Sequence, residues 1–307
     1  SLWLGCQEIL LDKGQEDDWF GSRFITVMAI LAAVGFVVFI ARELAARDPV
    51  VDLRVMRERN FGLGVLLIVF AGVTLYGLTA LLPLFLQTLM GYTALQSGWT
   101  MIPRGLGAFI AMPLAGRLIG KVQARYLAAL GFLAFGGSAF VLARITLDIA
   151  PSILFWPLFF SGVSIAFIFV PLNSLALGAL RPEQMSNASG IFNLMRNVGG
   201  SVGISLVTTL AARSAQAHQA VLATHLTPYD PAYQTTLHAL QGAMAVHVGA
   251  VDAQQQAVGA MYRLLEQQSN FLAYLDNFRW FGLVCLGCIA ATFLLKKTKM
   301  RGPVAAH

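Results

Sequence analysis

Long stretches without a single charge dominate this chain and decide what it can fold into. Residues 24–41 form one run of 18, 60–103 one of 44, 126–143 another of 18, 149–180 one of 32 and 280–295 one of 16. Between 184 and 212 only Arg196 interrupts the pattern. A helix needs about 20 mostly apolar residues to cross a bilayer core, and in lipid every backbone N–H and C=O must be satisfied inside the segment. The runs therefore predict seven helical spans, near 23–43, 62–90, 95–117, 125–146, 151–179, 187–212 and 272–295. The 44-residue run divides at the turn-prone Gly91-Tyr92-Thr93. Composition agrees: 57% of the 307 residues are hydrophobic and 12% charged, about half the charge of a soluble domain. Disorder and a disulfide-rich scaffold are excluded by the apolar runs and by a cysteine count of three.

The charges test this map, because cytoplasmic loops collect Lys and Arg. One side gathers Arg42, Arg47, Arg54, Arg57, Arg59, Arg117, Lys121, Arg125, Arg181, Lys296, Lys297, Lys299 and Arg301, 13 basic residues. The other holds six: Lys13, Arg23, Arg144, Arg213, Arg263 and Arg279. Glu8, Asp12, Glu16, Asp17 and Asp18 cluster on that second side, before the first full span. The chain is thus expected to start outside and end inside, with its C-terminus cytoplasmic. The net charge of +6 is explained by topology, and nucleic acid is not an expected partner. Residues 1–11 are too short to cross and read as the end of an eighth helix. The chain has no initiator Met and no signal-peptide pattern, so it is expected to be a fragment that continues upstream.

Two segments between spans stand out. Residues 48–61 are basic and amphipathic, suited to lie along the cytoplasmic face among lipid headgroups. Residues 213–271 form a long outside loop of helical composition with His218, His225, His238 and His247, whose spacings of 7, 13 and 9 match no compact metal-ligand pattern. A solvated, partly helical cap is expected there, with no metal.

Charged residues inside spans are functional candidates by default, since burial there is costly. Arg104 follows Pro103, about a third of the way into its helix. It either snorkels to the outer interface or faces a wet central cavity. Arg196 has 12 uncharged residues before it and 16 after, with Asn193 and Asn197 nearby on the same helix. That cluster either lines a water-filled pathway or joins helices by hydrogen bonds. Gln87 and Asn173 are single polar residues on apolar helices. These six are the candidate cavity wall. Every Asp and Glu is placed in a loop or at a span end, so a proton-carrying carboxylate at membrane depth is expected upstream of Ser1. Gly199, Gly200 and Gly203, and likewise Gly116 and Gly120, put small residues at spacings that let helix backbones approach closely. Pro103, Pro113, Pro157 and Pro171 can kink their helices. Cys285 and Cys288 form C-x-x-C inside an apolar helix, which reads as packing. No nucleotide-binding, zinc-protease or nucleophile-elbow motif occurs, so neither a cofactor nor catalytic residues are expected.

In order and spacing these features resemble the carboxy-terminal half of a fourteen-span EmrB/QacA-type drug exporter of the major facilitator superfamily. Residues 12–20 resemble the outside loop between the family's two linker helices. Residues 48–53 with Arg59-Asn60-Phe61 resemble the start of its second domain, and Gly91 to Gly98 followed by Pro103, Gly105 and Pro113 are family-like. Gly116-Arg117-Leu118-Ile119-Gly120-Lys121 with Arg125 resembles the second copy of a cytoplasmic loop motif, with Gly120 where an Asp is usual. Residues 197–203 resemble the penultimate-helix motif. The resemblance implies an all-α integral membrane fold. Residues 1–47 would be a linker pair with its first helix truncated, 48–61 a cytoplasmic segment, and 62–307 a six-helix bundle with a periplasmic loop at 213–271. It also implies export of hydrophobic or amphipathic small molecules from a bacterial inner membrane in exchange for protons. Its partners would be membrane lipid, the missing N-terminal half and, in Gram-negative relatives, a periplasmic adaptor and an outer-membrane channel. The alternatives are a non-transporting sensor or scaffold of the same fold and an exporter of one specific metabolite.

Overall fold

The computed structural model describes residues 2–14, 19–45, 52–147, 149, 151–178, 180–224, 226–227, 229–248 and 250–296. Arg47, Glu16, Asp17, Asp18, His225, Lys297, Lys299 and Arg301 lie outside the described residues, as does the side chain of His247. The described residues form helices and no strands: α1 (Leu2–Lys13), α2 (Arg23–Ala45), α3 (Arg59–Thr88), α4 (Ala94–Ile119), α5 (Ala124–Leu142), α6 (Pro151–Leu177), α7 (Pro182–Ala223), α8 (Pro231–Val248) and α9 (Ala250–Thr292).

Local chemistry sets the breaks. The 44-residue apolar run divides where Gly91 adopts a φ of +68°, a region glycine enters without steric cost. Thr93 then opens α4 with a capping box: its hydroxyl accepts from Gln96 N at 3.3 Å, and its own N–H donates to Gln96 Oε1 at 2.9 Å. Pro182 begins α7 at its first turn, where a missing N–H costs nothing. Asp52 caps a short 3-10 turn at Leu53–Arg57 by accepting from Arg54 N at 3.0 Å.

Helix α3 is the central post. It packs along α7, α6 and α9, while α5 packs on α6 and α9, and α4 leans mainly on α6. Phe85 of α3 meets the rings of Phe271, Tyr274 and Phe278 of α9 at centroid distances of 5.4 to 6.3 Å. Cys285 and Cys288 are buried free thiols in the same core. At one end of the bundle, Asn60 donates to Lys296 O at 3.1 Å and accepts from Lys296 N at 2.9 Å. Asn187 makes the same reciprocal pair with the Asp52 backbone, at 3.1 and 3.2 Å. These clasps join the start of α3 to the end of α9, and the segment before α3 to the start of α7.

Helices α1 and α2 form an antiparallel hairpin beside the bundle. Trp19 N donates to Gly14 O at 2.6 Å to close the turn, and Trp3 packs on Phe36 and Phe39 at 5.2 and 5.8 Å. The flank of α2 formed by Ile30, Val34, Val37 and Val38 is more than half exposed, which suits contact with lipid. Its partner α1 lies along α7.

Two differences from the sequence reading matter. Six described helices, α2 to α6 and α9, are long and apolar enough to cross a membrane, and α7 is not among them. It is nevertheless helical throughout 187–212 and packs along α3 and α9. Its Gly, Ser and Asn residues serve close contact on one face and polar exposure on another, which lowers its apolarity. The second is one of extent: most of 213–271 is helix where a partly helical cap is expected. Helix α7 runs on to Ala223, α8 follows, and α9 begins at Ala250, 22 residues before the expected span. Ala- and Gln-rich sequence favours helix whether or not lipid surrounds it, so these helices continue past the apolar runs.

Candidate pathway on the polar face of α7

The geometry starts with glycines that bring α7 against α3. A Cβ on Gly203 would lie 2.5 Å from both Cα and O of Val73, one on Gly199 would collide with Val69 O, and one on Gly72 would sit 2.6 Å from Arg196 O. Gly200 meets the ring of Tyr76. Backbone lies on backbone along this seam, which fixes the rotation of α7 about its own axis. The side turned away from α3 then carries Asn193, Asn197, Ser201 and Thr208, at i, i+4, i+8 and i+15. Asn193 and Asn197 are exposed, and Ser201 and Thr208 are half-buried. Positions four apart share a helix face, so these four form one polar stripe. Gly116 and Gly120 do not behave as the other glycines do. Both are exposed with open space where a Cβ would go, so within the described residues this pair brings no helices together.

Arg196 lies at the edge of the stripe. It is half-buried, its guanidinium stands over the Phe169 ring of α6 at 5.6 Å, and its Nε has no hydrogen-bond partner among the described residues. Such a cation–π contact holds a positive charge without a carboxylate.

Arg104 occupies a different place from either expected one. Its residue is 7% exposed, so it neither snorkels to the interface nor opens onto a cavity. It sits where α4 crosses α6 through Gly107 and Gly162, whose Cβ positions would collide with Phe159 O and Arg104 O. From there its Nη2 donates to Leu75 O at 3.1 Å, while its buried Nη1 has no partner among the described residues. The carbonyl of Leu75 also accepts from the Thr79 hydroxyl at 2.6 Å. A guanidinium is therefore held against the middle of α3 by backbone alone.

Gln87 and Asn173 are both exposed but stand on other helices than the stripe, Gln87 at the C-terminal end of α3 and Asn173 towards the C-terminal end of α6. The six candidates thus divide. Asn193 and Asn197 share a face, Arg104 and Arg196 approach the middle of α3 from different helices, and the other two are isolated.

One contact is not foreseen by the sequence. Glu8 was read with the acidic cluster outside, yet both its carboxylate oxygens accept from the Ser201 hydroxyl, at 3.0 and 3.1 Å. A carboxylate therefore lies against the middle of α7. Sequence spacing carried no signal for this contact, because residues 1–11 are too short to read as a span. At the outer end, His218 Nε2 contacts Asp276 Oδ2 at 2.7 Å and Arg279 Nη1 donates to Asp276 Oδ1 at 2.9 Å, joining α7 to α9. Among the described residues no group of three or more His, Cys, Asp and Glu is arranged to hold a metal ion.

A bundle with six helices of lipid-spanning length and apolarity around a central post defines a multi-pass membrane protein. The model of the Major Facilitator Superfamily matches residues 18–204, and the chain belongs to that family. It is 32% identical to the Multidrug export protein EmrB of Escherichia coli (strain K12) over 296 residues, which cover 94% of this chain and 56% of that protein. It is 34% identical to the Fatty acid resistance protein FarB of Neisseria gonorrhoeae over 239 residues, 78% of this chain and 47% of the other. The chain spans about half the length of the curated relatives it matches. Among solved structures, a bacterial homolog of the human lysosomal transporter Spinster in an inward-facing, occupied conformation aligns with a TM-score of 0.57 at 16% identity, covering 92% of this chain and 61% of that one. That likeness concerns the fold.

Proposed function

We propose that this chain is half of an efflux transporter that exports hydrophobic or amphipathic small molecules across a bacterial inner membrane. Transport would proceed by alternating access in exchange for protons, with the C-terminal tail in the cytoplasm. The observation that carries the reading is identity to a multidrug export protein along nearly the whole chain. The stripe of Asn193, Asn197, Ser201 and Thr208, turned away from its own bundle, supports it. In this family fold a substrate site lies between two bundles near the midplane and is opened alternately to each side. The stripe is the face we assign to that site, with Arg196 at its edge. Gln87 and Asn173 are assigned to the outer and inner ends of the wall. Arg104 braces α4 against α3 beside it.

The partners proposed are the remaining half of the protein, protons, membrane lipid and, across the periplasm, an adaptor protein with an outer-membrane channel. The helical cap formed by the end of α7, α8 and the start of α9 is the surface we assign to the adaptor. Cells producing the full-length protein are expected to extrude a lipophilic dye in a manner abolished by collapsing the proton gradient. Dye retention equal to that of empty-vector cells overturns the proposal and leaves a sensor or scaffold. Deleting 225–249 is expected to abolish copurification of the adaptor, and unchanged copurification removes that assignment.

A further inference from the structure

Exchange of protons across a membrane protein calls for a titratable group at membrane depth, and Glu8, an exposed side chain of α1 held to Ser201 of α7, supplies a candidate. Two independent rulers locate Glu8. On α7, its partner Ser201 is near the middle of the 187–212 stretch. On α2, Trp3 packs against Phe36 and Phe39. Because the hairpin is antiparallel and each residue rises 1.5 Å, Glu8, five residues further along α1, lies level with about Leu31–Val34 of α2. That is the centre of the charge-free run at 24–41. Both rulers give the middle of the membrane.

We propose that Glu8 is the proton-carrying carboxylate of the cycle, and that its protonation state sets how α1 grips the polar stripe of α7. This rests on the proton exchange proposed above. Ser201 has two acceptors for its single proton, the Glu8 carboxylate at 3.0 and 3.1 Å and the Asn197 carbonyl at 3.3 Å. While Glu8 is ionised, the Ser201 hydroxyl donates to it. When Glu8 takes a proton from water on the outer side, the acid O–H becomes the donor to Ser201 Oγ, and Ser201 donates to Asn197 O instead. Ser201 keeps its own proton throughout, and Glu8 later releases the acquired one to the inner side. The rotation reorders the hydrogen bonds on the face assigned to substrate, which couples proton occupancy to that face.

The surroundings contain little that would fix the charge. On α1 the other ionisable groups are Cys6, then Asp12 and Lys13, at least one turn nearer the outer end. On α2 the charges, Arg23, Arg42 and Glu43, stand at its two ends. On α7 the nearest is Arg196, turned onto Phe169 of α6, while Glu183, Arg213 and His218 are more than three turns from Ser201. Behind the seam, Tyr76 of α3 packs on Gly200. Among the described residues no cation forms an ion pair with Glu8.

The test uses the full-length protein in proteoliposomes, with ethidium as probe and a pH-sensitive dye reporting proton movement. Glu8→Gln keeps a partner for Ser201 but cannot carry a proton. It is expected to lower gradient-driven ethidium transport at least tenfold and to abolish ethidium-linked proton movement, with ethidium affinity within twofold of wild type. Asp12→Asn, on the same helix near its outer end, is expected to behave as wild type. Wild-type coupling by Glu8→Gln overturns the assignment. Glu8→Asp decides the matter if the Gln variant fails to accumulate: its pH profile for transport is expected to shift, and an unshifted profile overturns the proposal. Ethidium transport without proton movement in the wild type overturns the exchange mechanism itself, and the role of Glu8 with it.

Discussion

Arg104 shows what a single buried charge implies. Its guanidinium is desolvated, has one backbone acceptor and meets no carboxylate among the described residues. Replacing such a group by an apolar side chain of similar volume is commonly neutral or stabilising, by about 1–4 kcal/mol. Arg104→Met is therefore expected to melt no lower than wild type in detergent, and a lower melting temperature would show that the bond to Leu75 outweighs the desolvation. Gly203 sets the opposite limit. Its Cβ position is occupied by Val73 backbone, which cannot move aside as a flexible side chain can. Gly203→Val is expected to destabilise the protein by at least about 1–3 kcal/mol through overpacking. Gly116→Ala, where the space is open, is expected to be neutral or to gain about 0.5–1 kcal/mol from reduced backbone freedom. Thermal unfolding of the three variants side by side checks the ranking.

At the scale of elements, α7 is held from two directions by different forces. Glycine contacts fix its middle to α3, while a polar contact fixes its outer extension to α9 through His218 and Asp276. The side chains of that pair are 32% and 28% exposed, so solvent screens the interaction in part. A double-mutant cycle of His218→Gln and Asp276→Asn is expected to give a coupling of about 0.5–1.5 kcal/mol, as neighbouring groups in one network do. A coupling near zero would mean that the cap is held by apolar packing alone. The hairpin of α1 and α2 is a separate element whose contact with the bundle runs along α7. The same helix therefore receives α3, α9 and α1, and the hairpin meets its polar stripe at Ser201.

For the whole molecule the decisive quantity is sidedness. The basic residues divide 13 to six between the two faces, which predicts the cap outside and the loop after α4 inside. Tyr229 is 94% exposed in the cap and Val122 is 40% exposed in that loop. The native cysteines Cys6, Cys285 and Cys288 are buried and give little background. In intact spheroplasts an impermeant maleimide is expected to label Tyr229→Cys at once and Val122→Cys only after permeabilisation. Labelling of both from the same side would contradict the topology.

Sequence by itself determined the helical class, the approximate span positions and the expected sidedness, because all three follow from one-dimensional quantities: the length of apolar runs and the order of charges along them. The family was legible for the same reason, through short motifs kept in order. Which face of α7 is polar and which is glued to α3, that Arg104 is sealed against Leu75, that Gly116 and Gly120 have open space where a Cβ would go, and that Glu8 reaches Ser201 193 positions away were decided only by the tertiary structure. Helix rotation and the pairing of distant segments depend on which backbones can approach each other, and that is settled only when all the helices pack together.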